Sequence, residues 1–173
     1  MDSPRPSANA QRPDVLAETD GDPTVRQIMR ADVPVVEPST PIAAVAQTMA
    51  ESGLPGIPVV EDGQLVGIIT ETDIISREAA VDVPPVIPFL DAFIVADGGR
   101  DFDEEMRRVL ATTAGELMTS PVYSIRDVAT LTETATLMTE RGIGTVPVVS
   151  RDGTIVGIVT RADLVRIIAK LEQ

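Results

Sequence analysis

The 173-residue chain has no cysteine, no histidine and no tryptophan, with one tyrosine and three phenylalanines. Without cysteine there is no disulfide framework and no thiolate chemistry. Without histidine, the commonest general base near neutral pH and the commonest metal ligand are both missing. Positive charge is also scarce. Lys and Arg number 14 against 27 Asp and Glu, a formal net charge of −13. Such a surface repels phosphate backbones and anionic headgroups, so neither nucleic acid nor a membrane is an expected partner, although a local basic pocket is compatible with it. No apolar run approaches the ~20 residues of a membrane-spanning helix. The opening stretch MDSPRPSANAQRPD lacks the apolar core of a signal peptide. A cytoplasmic protein is the expectation.

What the chain does have is a repeat. GIITETDI at Gly67–Ile74 returns as GIVTRADL at Gly157–Leu164. Around it the match extends, from TVRQIM (Thr24–Met29) and TAGELM (Thr113–Met118) to GLPGIPVVEDGQLVGIIT (Gly53–Thr70) and GIGTVPVVSRDGTIVGIVT (Gly142–Thr160), with one extra residue in the second turn. Each copy opens on a short extended segment. Ile42, Val45, Ala46 and Met49 then recur at the spacing of one helix face, as do Leu131, Thr134, Ala135 and Met138. Pro41 suits a first helical position, and Gly53 and Gly142 suit helix stops. IPVV and VPVV read as buried strands, EDGQ and RDGT carry the Asp-Gly signal of a tight hairpin, and LVGIIT and IVGIVT read as return strands. A last helix starts just past Thr70 and Thr160.

Each copy is therefore β-α-β-β-α, and the fold class is α+β. One such unit leaves a sheet face uncovered; two units bury that face against each other. The expected organisation is a flexible tail over 1–22, a first repeat over 23–80, an insert over 81–112 and a second repeat over 113–173.

The repeated phrase has two readings. Thr70-x-x-Asp73 and Thr160-x-x-Asp163 both match a capping box, in which hydroxyl and carboxylate serve the start of their own helix. The same parts also suit a nucleoside. Backbone N–H groups at a helix start attract anions, a first-turn carboxylate can accept ribose hydroxyls, and a neighbouring threonine can reach ribose or phosphate. The strands GIPVV and TVPVV, interrupted by Pro58 and Pro147, offer an apolar slot whose backbone lacks some ladder partners.

These motifs, twice in order and covering about 24–79 and 113–173, make the chain resemble a tandem pair of CBS domains, or Bateman module. The resemblance implies two repeats about a pseudo-twofold axis, with their sheets packed face to face and their helices outside. It implies clefts that bind adenosine-containing effectors such as AMP, ADP, ATP or S-adenosylmethionine, with no required cofactor and no metal. It also implies a homodimer that regulates a separate protein. By position, Asp73 and Asp163 match the ribose-binding aspartate, Thr70 and Thr160 its hydroxyl partner, and Ile57 and Val146 the residues whose backbone reads the base. Pro34 and Tyr123 would line the slot, Tyr123 either stacking on adenine or filling space. Gly56 and Thr145 stand where many relatives carry a basic phosphate-binding residue. Arg161 is then the phosphate partner, or a solvated first-turn residue, and the second site is expected to be the better one.

The insert Arg77–Thr112 holds all three phenylalanines, Phe89, Phe93 and Phe102. VIPFLDAFIV reads as one extended apolar segment, followed by a DGG turn and a helix on which Glu104 and Arg108 pair. It either packs on its own module and closes a cleft or forms an interface. Asp97, Asp101 and Asp103 miss the spacing of a calcium loop. Three functions stand open. The chain is a ligand sensor, a dimerising scaffold with idle clefts, or an enzyme, and the last is disfavoured by the lack of histidine, cysteine and any phosphate-binding loop.

Overall fold

The computed structural model describes residues 21–78, 86–89, 92–95 and 110–172. The elements run α1 (Val25–Ile28), α2 (Ile42–Ser52), β1 (Gly56–Glu61), β2 (Gln64–Thr70), α3 (Glu71–Glu78), β3 (Val86–Phe89), β4 (Ala92–Val95), α4 (Ala114–Leu117), β5 (Ile125–Arg126), α5 (Leu131–Arg141), β6 (Thr145–Val149), β7 (Ile155–Thr160) and α6 (Arg161–Leu171).

The repeat is a structural one. In α2, Ile42, Val45 and Met49 are buried and Gly53 ends the helix at φ 63°; in α5, Leu131, Thr134 and Met138 are buried and Gly142 ends it at φ 64°. Only a residue without a Cβ takes that left-handed turn at little cost. Pro41 lies just outside α2 with ψ 143°, so Ile42 is the first helical residue. β1 and β2 pair antiparallel through a two-residue turn in which Asp62 and Gly63 both have positive φ (50° and 79°), the geometry a tight hairpin requires. The second hairpin is one residue longer, closed by Ser150 N–H donating to the Thr154 carbonyl at 2.9 Å. β5 joins β6 in parallel; in the first repeat the same role falls to Val36, which bridges Val59.

The lead-ins do not stay with their own repeats. Val25 N–H donates to the Ala129 carbonyl (2.7 Å) and Leu131 N–H to that of Pro23 (2.8 Å), so the first lead-in packs ahead of α5 in the second repeat. Symmetrically, Ala114 N–H donates to Thr40 (2.8 Å) and Ile42 N–H to Thr112 (3.0 Å). Each lead-in then runs along the outer edge of a foreign return strand. Arg30 and Ile158 exchange two bonds of 2.9 Å, and Thr119 and Ile68 exchange bonds of 2.9 and 3.2 Å. The cores are mixed accordingly: Val25 and Ile28 lie with Val146, Val148, Val159 and Leu164, whereas Ala114 and Leu117 lie with Ile57, Val59 and Ile69. Ile158 of β7 reaches the first core, and a Cβ on Gly56 would stand 3.1 Å from Thr145 Cγ2. The two sheets thus face each other across a pseudo-twofold axis.

This crossing explains the glycine of the repeated phrase. A Cβ on Gly67 would fall 2.4 Å from Met118 Sδ; one on Gly157 would fall 2.6 Å from Met29 Sδ and 2.8 Å from the Arg30 carbonyl oxygen. The repeated methionine and the repeated glycine are two halves of one contact.

The insert departs from expectation. Val86–Phe89 and Ala92–Val95 are two strands paired antiparallel with each other, Val86 opposite Val95 and Phe89 opposite Ala92, rather than one extended segment. The predicted turn, helix, Glu104–Arg108 pair and acidic run lie outside the described residues, as does the tail up to residue 20. Asp22, placed in the tail by sequence, accepts from Thr132 N–H at 3.1 Å, at the start of α5. Among the described residues no helix is long and apolar enough to cross a membrane, and no group of acidic residues is arranged to hold a metal ion.

Gly157→Ala is expected to destabilise the protein by about 1–3 kcal/mol, since a backbone carbonyl must move. Gly67→Ala is expected to cost less, because only the Met118 side chain must yield. Urea denaturation midpoints of the two variants check the ranking.

Candidate functional site

Both strand-to-helix junctions open on one cleft of about 630 Å³ between the repeats. Thr70, Glu71 and Asp73 line it from the first junction; Gly144, Thr145, Thr160 and Arg161 line it from the second. Tyr123 and Arg30 complete the polar wall. The junctions converge because each helix start is tied to the turn before its strand. Glu71 N–H donates to the Pro55 carbonyl (3.1 Å), and Arg161 N–H to that of Gly144 (3.0 Å).

Each acid is turned onto its own helix start. Asp73 Oδ2 accepts from Thr70 N–H (2.8 Å) and from its hydroxyl (2.7 Å). Asp163 Oδ2 accepts from Thr160 N–H (3.1 Å) and hydroxyl (2.7 Å), and the hydroxyl oxygen accepts from Asp163 N–H at 3.3 Å, a reciprocal capping box. The other Asp163 oxygen is also engaged. Oδ1 accepts from Arg30 Nε at 3.2 Å and Arg166 Nη1 at 3.1 Å. Burial raises the Asp163 pKa, but the two Thr160 bonds and the charge and hydrogen bond of Arg30 outweigh it and hold the carboxyl below its ordinary value.

Of the residues singled out by sequence, Thr70, Asp73, Tyr123, Thr145, Thr160 and Arg161 meet at the cleft. Ile57, Pro58, Val146 and Pro147 are buried behind it in β1 and β6, where Ile57 pairs with Ile69 and Val146 with Val159. Asp163 is 1% exposed and stands behind the wall, whereas Asp73 forms part of it. Pro34 is half-buried away from the cleft. Tyr123 is 47% exposed, with the Arg141 guanidinium 4.8 Å from its ring centroid and donating to its hydroxyl at 3.3 Å. One face of the ring thus carries a cation. Arg161 lies over the Gly142–Gly144 turn, its Nη2 donating to the Gly142 carbonyl at 3.3 Å.

The residue that sequence reasoning missed is Arg30. It follows the lead-in methionine of the first repeat, where Thr119 stands in the second. Assigning each lead-in to its own repeat hid its place at the second junction. The asymmetric arginine was the available signal.

Asp163 has the sign of a group whose folded pKa is depressed. Its contribution to stability is complete above the unfolded value of about 3.9 and is lost as pH falls through the lower folded value. Asp163→Asn should therefore be less stable than the wild type at pH 7. The gap should narrow as pH drops below about 4, read by denaturant titrations across that range.

A CBS domain family model matches residues 25–80 and 114–170. Hypoxic response protein 1 of Mycobacterium tuberculosis is 30% identical over 144 residues, covering 83% of this chain and 83% of that protein. A crystal structure of that protein with two coordinated zinc ions superposes with a TM-score of 0.59 at 28% identity, covering 83% of this chain and 98% of that one. The crystal structure of CBSX2, an Arabidopsis thaliana protein, in complex with AMP gives a TM-score of 0.70 at 24% identity, covering 87% of this chain and 99% of that one. The CBS domain pair of protein MJ0100, in complex with 5-methylthioadenosine and S-adenosyl-L-methionine, gives 0.63 at 23% identity over 87% of this chain and 99% of that one.

Proposed function

The chain belongs to the CBS domain family, and we propose that it is a regulatory module, not an enzyme, that senses an adenosine-containing ligand in the cleft between its repeats. The observation that carries this reading is the meeting of both Thr-x-x-Asp junctions at one cleft of about 630 Å³, within the usual range for small-molecule sites. Thr70 and Thr160 present hydroxyls there, Asp73 a carboxylate, Tyr123 an exposed ring and Arg161 a cation. The AMP held by CBSX2 and the methylthioadenosine and S-adenosylmethionine held by the MJ0100 pair belong to the same ligand class. The ligand is an effector and no cofactor is required. Zinc is not carried over from hypoxic response protein 1, since this chain has no histidine or cysteine to offer it.

For the ligand to regulate, it must favour one arrangement of the repeats over another. The crossed lead-ins supply the linkage, because each is bonded to the repeat it does not precede. The output passes to a separate protein.

A homodimer is part of the proposal. Ile75 of α3 and Val165 of α6 follow the two junction aspartates by two residues, and they are 68% and 66% exposed. Beside Ile75 runs a groove of about 370 Å³ lined by Ala46, Met49, Ala50 and Ile74. Equivalent apolar residues exposed on equivalent helices suit a symmetric partner. Ile75→Glu is expected to shift the chain toward monomer in light scattering coupled to size exclusion, with its fold intact by circular dichroism.

A second reading, a scaffold with idle clefts, draws on the closure of both acids onto their own helix starts. Thermal unfolding with AMP, ADP, ATP and S-adenosylmethionine separates the two, since only a ligand that binds the folded state raises the midpoint. An increase with at least one adenosyl compound, lost in Asp163→Ala and retained in part in Asp73→Ala, is the expected result. No increase with any of them leaves the scaffold.

A further inference from the structure

Arg30 sits at a junction it does not precede. Its side chain is 28% exposed, forms part of the cleft wall and holds Asp163 Oδ1 through Nε. That oxygen has a second cation in Arg166 at 3.1 Å. Arg30 can therefore leave without stranding a buried, unpaired carboxylate, the outcome that normally makes breaking such a pair costly. Arg161, across the same junction, is held by one carbonyl at 3.3 Å. Among the described lining residues these two are the cations, and the anions, Glu71 and Asp73, belong to the first junction. The cleft is thus polarised, basic at the second repeat and acidic at the first, within a chain of net charge −13.

We propose that Arg30, carried across by the exchanged lead-in, trades Asp163 for the ligand's phosphate and with Arg161 forms a two-guanidinium clamp that selects a nucleoside monophosphate. This rests on the adenosyl reading above and narrows it. A monophosphate carries close to two negative charges at neutral pH, which two guanidiniums match, and Arg suits phosphate because its planar fork bonds two oxygens at once. A longer phosphate chain would add charge where the remaining ionised lining groups are carboxylates. S-adenosylmethionine would bring a sulfonium and an ammonium toward two cations. The exchange also joins two recognition steps. As Arg30 departs, Asp163 Oδ1 regains capacity to accept a ribose hydroxyl while Arg166 keeps the carboxylate paired.

The test is calorimetric titration of the full chain with AMP, adenosine, ATP and S-adenosylmethionine. The wild type is expected to bind AMP more tightly than the other three, with a preference over adenosine of about tenfold or more. Arg30→Met should reduce the AMP-to-adenosine preference by about tenfold, and Arg30→Lys should restore part of it. An unchanged preference in Arg30→Met, in a protein that still binds both compounds, overturns the clamp and leaves the adenosyl reading standing. Wild-type protein that binds neither removes both. Should Arg30→Met not fold, Arg161→Met alters an exposed side chain and must show the same loss of preference; retention there overturns the clamp equally.

Discussion

The crossing of the lead-ins is the contact on which the rest of the molecule depends. A methionine from each lead-in lies against a glycine in the other repeat's return strand, and the residue after it exchanges backbone bonds with the neighbouring isoleucine. Neither repeat contains a complete core without its partner's segment. Val25 and Ile28 are fully or nearly buried in the second core, and Ala114 and Leu117 in the first. The duplication is therefore more than a means of covering a sheet face. Each copy supplies a piece the other lacks, and the two fold as one body.

The same crossing makes the cleft composite. Its walls come from both junctions, and Arg30, one of the two cations among its described lining residues, arrives on the lead-in of the other repeat. A ligand there contacts a surface whose parts are bonded to both halves of the chain. A change in the relative placement of the repeats is therefore also a change in the shape of the cleft.

The Thr-x-x-Asp motif fixes each strand-to-helix junction. Threonine and aspartate satisfy N–H groups that a helix start leaves without partners, and their closure holds the junction in a single geometry. Arg26 and Asp127, an ion pair linking the first lead-in to the loop before α5, fix the crossing from the opposite side. The Arg26 hydrogen bond overcomes desolvation and lowers the Asp127 pKa.

Much of this was legible in the chain itself. Helix faces, glycine stops, hairpin turns and the twin phrase follow from spacing of a few residues, and Ile42, Val45, Met49, Gly53, Asp62 and Gly63 all take the places their spacing predicts. Such features are governed by neighbours along the backbone. Partnership across the fold was not legible. The reason for Gly67 and Gly157 and the arrival of Arg30 at Asp163 depend on which copy each segment packs against. Two nearly identical halves present nearly identical patterns, so local pattern cannot distinguish a lead-in that stays from one that crosses. Only the closing of one core through the other decides it.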